Sequence, residues 1–170
     1  MTTNAQQDQG NTLWVTQEAY DRLQAELDHL KGPGRAEITA KISDARDEGD
    51  LKENGGYHAA REEQGKNEGT IRQLEAVLLK AVSDQPADDD VVAFGKVVTY
   101  KFERDDDDEA ETFLLGAREN EDYVDVAVYS PQAPLGEALL GAKKGDTVAF
   151  EAPTGKTLQV VVLGAKPYGA

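Results

Sequence analysis

Cysteine is absent from this chain of 170 residues, which rules out disulfides, zinc-thiolate sites and cysteine nucleophiles together and fits a reducing compartment. Long apolar runs are absent too: nothing approaches the roughly 18 consecutive apolar residues of a membrane-spanning helix. The opening residues, MTTNAQQDQG, have neither the basic region nor the apolar core of a secretory signal, so the expected location is cytoplasmic. Histidine occurs only as His29 and His58, on different predicted helices and without ligand spacing, and a zinc site is not expected. Basic residues are scarce, 18 against 33 acidic ones, for a net charge of −15. Autonomous binding to bare nucleic acid needs a positive surface for the phosphates, so a protein or a metal ion is the better-matched partner.

What the chain does contain is ordinary for a soluble globular protein: 39% hydrophobic and 30% charged residues, enough for one domain or two small ones. The apolar residues change period along the chain. From Thr12 to about Val82 they recur at helical spacing; from Val91 onward they alternate or cluster in β-branched and aromatic runs. The polar stretch SDQPADDD between them, with Pro86, reads as a linker. The expected organisation is a flexible tail over 1–11, a helical domain over 12–83, a linker over 84–90 and a second domain over 91–170. The acidic runs at 88–90 and 105–108 lack the spaced ligands and glycine of a calcium loop and are expected to be solvated.

In the first half, Thr16 can cap a helix carrying Tyr20, Leu23, Leu27 and Leu30 three and four apart. The segment KGPGR, residues 31–35, is expected to interrupt that helix, because two glycines flank a proline. A second helical stretch presents Ile38, Ile42 and Ala45; a third, expected from about Asp50 to Val82, presents Tyr57, Ala60, Gln64, Ile71, Leu74 and Leu78 with a polar gap in the middle. Two long helices so patterned pair as an antiparallel hairpin, and the length of the third makes that hairpin project. Trp14 and Tyr20 fit cover for the helix base better than a cofactor site.

The second half offers strands over 91–103, 112–117, 123–129, 147–151 and 157–163, with SPQAPLGEALLG reading as a turn and a short helix. An antiparallel sheet with one short helix makes the fold class α+β. PTGK, residues 153–156, is a turn and lacks the spacing of a phosphate-binding loop.

The stretch DEGDLKENGGYH, residues 47–58, places two carboxylates, Asp50 and Glu53, in one short turn. A structural role is open to both: Gly49 can end the second helix in a left-handed conformation, Asp50 can cap the third, and Glu53 can complete a capping box. A D-x-x-E pattern is common and taken alone favours that structural role, but a chemical role is open as well. Magnesium takes oxygen ligands and is held by one or two carboxylates together with phosphates, so two exposed acids can complete a site that a partner already half supplies. Gly55 and Gly56 each cost up to about 1 kcal/mol of helix propensity, and a helix start after Gly56 would leave both acids on a loop.

ARDEGDLKENGGYHAAREEQGKNEG, residues 45–69, closely resembles the tip of the bacterial Gre-type transcript-cleavage factors, and SPQAPLG with KKGD resembles their C-terminal domain. The similarity runs from about Leu13 to Tyr168 and has a GreA-like, actinobacterial look. It implies an N-terminal antiparallel coiled coil that enters the secondary channel of RNA polymerase, and a C-terminal FKBP-like domain that docks at the channel rim. It also implies a monomeric accessory factor, not itself an enzyme, that stimulates the polymerase's cleavage of the 3′ end of backtracked RNA. By the same resemblance, Asp50 and Glu53 help hold a magnesium ion shared with the polymerase, with none bound tightly alone. Arg46, Lys52, Asn54 and Arg61 would contact RNA or polymerase, and Ser130, Pro131, Pro134, Leu135 and Gly136 are candidates for docking. Glycines at 55 and 56 depart from many members, which carry helix-favouring residues there. An FKBP-like fold does not by itself transfer prolyl isomerase activity, and the second half has no tryptophan and no clear aromatic-lined pocket, so a docking domain is expected. The competing reading is a Gre homologue that binds the channel without stimulating cleavage; a helical-hairpin chaperone or tRNA-binding arm fits the tip motif and the acidic balance less well.

Overall fold

The computed structural model describes residues 12–49 and 53–169. Its elements, in chain order, are β1 (Leu13–Trp14), α1 (Gln17–His29), a π-helical turn (Leu30–Gly34), α2 (Arg35–Asp47), α3 (Gly55–Lys80), β2 (Ala81–Val82), β3 (Lys96–Phe102), β4 (Glu111–Leu115), β5 (Ala127–Tyr129), α4 (Pro134–Leu139), β6 (Thr147–Glu151) and β7 (Thr157–Pro167). Contacts divide these into two compact units, one of residues 21–80 and the other of residues 12–20 with 81–169.

The helical unit is built on two apolar clusters. Leu23 and Leu27 of α1 pack with Ile71 and Leu74 of α3, and Ile38 and Ile42 of α2 pack with Ala60 and the flank of Tyr57. Partner numbers fall along α3 as they rise along α2: Arg35 binds Glu68, Lys41 binds Glu63, and Asn54 reaches back to Ala45. That descending order is the signature of the expected antiparallel pair. Two expectations are corrected. KGPG does not break the helix, which runs on from α1 through a π-helical turn into α2 with Pro33 inside it. Proline has no N–H to donate and its ring collides with the carbonyl four residues back; the wider π turn, in which the Arg35 N–H reaches the Leu30 carbonyl, relieves both problems. The last helix is also shorter than the expected 50–82, running from Gly55 to Lys80.

The sheet unit has the strand order β5-β4-β3-β7-β6. β3 pairs antiparallel with β4 and β7, and β7 with β6, but β4 and β5 run parallel, which corrects the expected all-antiparallel sheet. The connection between β4 and β5 explains the difference. It passes through a 3-10 stretch, Arg118–Tyr123, and returns β5 in the same direction, which a hairpin turn could not do. Val98, Phe113, Leu115, Leu139, Val160 and Val162 form a core of zero exposure between the sheet and α4. The overall class is the α+β expected.

Residues 12–20 are tied into this second unit. β1 pairs with β2, and the Trp14 carbonyl accepts the Ala117 N–H and the amide of fully buried Asn120. The Asn120 side-chain oxygen in turn accepts the Thr16 N–H at 2.8 Å. Thr16 caps α1, as expected, accepting the Ala19 N–H at 3.0 Å. The Trp14 ring lies where a Cβ on Gly95 would have to be, which is why that position tolerates only glycine, at φ +85°.

The acidic run at 88–90 is not simply solvated. Asp89 pairs with Lys96, a lysine 1% exposed whose ammonium also donates to the Val91 carbonyl. Asp88 and Asp90 both reach Lys166, and Asp90 accepts the Ala165 N–H of β7. The run therefore fastens the chain to β3 and β7. In the second run, Asp107 pairs with Lys101 at 2.7 Å.

Candidate functional site at the hairpin turn

The turn between α2 and α3 begins where Glu48 and Gly49 donate their N–H groups back to the Ala45 and Arg46 carbonyls. Gly49 has φ +137° and nothing within 4 Å of an added Cβ, so backbone conformation alone calls for glycine there. Asp50 and Lys52 lie outside the described residues. Glu53 stands just before α3, exposed, in the turn.

The capping box left open for Asp50 and Glu53 is not what starts α3. Asn54 does so: its side-chain oxygen accepts the Tyr57 N–H at 3.0 Å, and its amide nitrogen donates to the Ala45 carbonyl at the end of α2. Both ends of one amide thus join the two helices, and this residue, grouped from the sequence with the contact residues, has a structural task. Glu53, outside the helix, is left free of any capping duty. The glycines Gly55 and Gly56 then follow as the first two helical residues, one of the starts the sequence had left open having been excluded.

Around this cap the structure gathers Arg46 and Tyr57. The Arg46 guanidinium lies 5.8 Å from the centre of the Tyr57 ring, and His58 meets the same ring edge-on at 5.6 Å. The cation–π contact holds an otherwise exposed arginine beside the turn. Arg61 is directed elsewhere, donating to Gln64 at 2.8 Å. The role of Tyr57 in holding Arg46 was missed in the sequence; the two stand on different helices, and only the tip turn brings them together.

Whether this turn can hold a metal depends on its donors. Carboxylate oxygens suit a hard cation such as magnesium, but among the described residues no three His, Asp or Glu side chains converge as a metal site. Glu53 offers one exposed carboxylate at the turn, a donor type that suits such an ion.

In the sheet unit, Ser130 and Pro131 line a cleft of about 350 Å³ together with Leu13, Phe94, Gly116 and Tyr129. The other three docking candidates serve the fold. Pro134 opens α4, Leu135 packs against the core, and Gly136 is buried where a Cβ would collide with the Ser130 carbonyl.

Residues 13–82 match the family model described as "Transcription elongation factor, N-terminal", and residues 86–167 match that described as "Transcription elongation factor, GreA/GreB, C-term". The chain belongs to the GreA/GreB transcription elongation factor family. Among curated members of the GreA/GreB family, the elongation factor GreA of Streptomyces coelicolor is 55% identical over 159 residues, covering 93% of this chain and 95% of its own. GreA of Mycobacterium leprae is 48% identical, covering 91% and 94%. The crystal structure of GreA factor homolog 1 from Thermus thermophilus overlaps 91% of this chain and 98% of its own at 23% identity, with a TM-score of 0.40, a likeness that carries no argument by itself. Among the described residues of this GreA/GreB member, no helix is long and apolar enough to cross a membrane.

Proposed function

We propose that this GreA/GreB family member acts on RNA polymerase in the cytoplasm as a monomeric accessory factor, stimulating cleavage of the 3′ end of backtracked RNA while the catalytic centre remains the polymerase's own. The observation that carries the reading is the tip motif of residues 45–69, which keeps both acids within a chain matched by family models along both halves. Asn54 supports it: because the cap of α3 is made by an amide, Glu53 is not needed to start that helix and its carboxylate is available to a partner.

In this reading Asp50 and Glu53 lend oxygen ligands to a magnesium ion whose other ligands belong to the polymerase and the RNA. Such an ion, when bound, stabilises charge on the oxygens of an in-line displacement. Glu53 and Asp50 also orient an attacking water by hydrogen bonding. Arg46, held by Tyr57, offers a cation to the RNA backbone beside these acids. Lys52 and Arg61 add further positive charge, and the cleft beside Ser130 and Pro131 is the docking surface of the sheet unit.

The test compares the wild type with Asp50→Asn plus Glu53→Gln. The expected outcome is loss of stimulated RNA cleavage by a backtracked polymerase, with polymerase binding retained and thermal melting unchanged. Full cleavage by the double variant would sink the reading, and a drop in melting temperature would return the two acids to a structural role.

A further inference from the structure

Between the two apolar clusters of the helical unit lies a section with no core. No residue of 31–37 or of 61–70 is buried, although Leu27 and Ile71 on one side and Ile38 and Ala60 on the other are less than 9% exposed. What joins the helices there is polar. Arg35 makes a bidentate pair with Glu68 at 2.8 and 2.9 Å, Lys31 pairs with Glu75 at 3.6 Å, and Lys41 pairs with Glu63 at 3.2 Å. Pairs this exposed hold weakly and are screened by salt.

Both helices are also weakened from within at this level. On one side is the π-helical turn with Pro33 and two glycines. On the other, Gly65 and Gly69 stand inside α3. A Cβ at Gly34 would rest against the His29 carbonyl at 3.4 Å, but close packing does not explain the other three glycines: a Cβ at Gly32 or Gly65 would meet nothing within 4 Å, one at Gly69 only the tip of Arg72 at 3.9 Å, and none of the three has a positive φ. Their remaining physical effect is on helix stability, where glycine is worth about fivefold in the local helix equilibrium relative to alanine. One neutral hydrogen bond crosses the gap. The Asn67 amide donates at 3.3 Å to the Leu30 carbonyl, the same carbonyl that the π turn gives to the Arg35 N–H.

We propose that residues 31–37 and 61–70 form a built-in joint, at which the half of the hairpin carrying the turn bends and opens as a unit against the half cored by Leu23, Leu27, Ile71 and Leu74. Proline and a π turn are recognised causes of helix bending, and sections with few buried apolar contacts are where local opening concentrates. The Asn67 bond and the Arg35–Glu68 pair latch the joint without cementing it. This goes beyond the proposed role at the polymerase and does not depend on it.

Hydrogen exchange followed by mass spectrometry on the full chain, with no partner present, tests the joint. Amides of 61–70 are expected to exchange roughly tenfold or more faster than those of 71–77, and amides of 31–37 faster than those of 39–45. Exchange that is uniform along each helix, or that simply rises toward the turn, overturns the proposal. Gly65→Ala plus Gly69→Ala, both at sites with room for the methyl group, should slow exchange over 61–70 by roughly tenfold or more and leave 71–77 unchanged. An effect spread equally along Gly55–Lys80, or no effect, means a single cooperative rod with no joint.

Discussion

The two units solve the problem of stability in different ways. The sheet unit closes around side chains of zero exposure, among them Phe113, Leu115 and Leu139, and ties down its polar groups with buried partners such as Asn120. The helical unit has only narrow seams, whose buried residues keep 2–9% exposure, and a middle with none. A thick core makes one region fail as a whole, whereas thin seams let the other fail locally. The region that presents the candidate site is the locally yielding one, and it depends on single devices such as the Asn54 cap where the sheet unit has redundancy.

The largest test of that contrast is truncation in each core. Phe113→Ala should cost about 3–5 kcal/mol and lower the unfolding midpoint of the sheet unit as a whole. Trp14, the one tryptophan, belongs to that unit, so its fluorescence reports the loss directly. Ile38→Ala, in the thinner seam, should instead register as lost helix signal in circular dichroism with the Trp14 transition in place. Equal loss in both signals for both variants would break the comparison.

A smaller effect is expected at the turn. Asn54→Ala removes the cap of α3 and the bond to Ala45 and should cost about 1 kcal/mol, seen as faster hydrogen exchange in the first turn of α3. Asn54→Asp, which keeps an oxygen for the Tyr57 N–H, should recover most of it. Recovery by neither, with no change in exchange, would mean that the turn is held by something other than its cap.

The smallest effect concerns acid. The Lys96 ammonium, with the Val91 N–H, holds the Asp89 carboxyl below the usual carboxylate range, and the Ala165 N–H, with Lys166, does the same for Asp90. A depressed carboxylate contributes stability that is fully present above its unfolded pKa, about 4, and is lost as pH falls through the lower folded value. The sheet unit should therefore begin to weaken only below about pH 4, and Asp89→Asn with Asp90→Asn should flatten that acid limb. An unchanged limb in the double variant would mean that the clasp at 88–90 contributes nothing.

Much of the fold was legible because its signals are local. The spacing of Leu23, Leu27, Ile71 and Leu74 encodes a helical seam, Thr16 announces a helix start, and the β-branched runs after Val91 announce strands. The candidate site was legible in its residue types but not in its wiring. Asn54 in place of Asp50 as the cap, and Tyr57 beneath Arg46, depend on how two helices meet across a turn. KGPG was misread because local propensity condemns a proline between glycines, while tertiary structure accommodates it in a π turn with Asn67, 37 residues away, bonding the Leu30 carbonyl.

From its sequence alone this chain is an α+β protein with a helical first half, a β-rich second half and the tip motif of the GreA/GreB elongation factors, since periodicity and a long motif survive without knowledge of contacts. Only the tertiary structure decided that the helix passes through Pro33, that β5 runs parallel to β4, and that the aspartates at 88–90 are fastened to Lys96 and Lys166. Each of those outcomes rests on a partner that is distant in the chain or on a path between strands, and distant partners acquire their geometry only when the chain has folded.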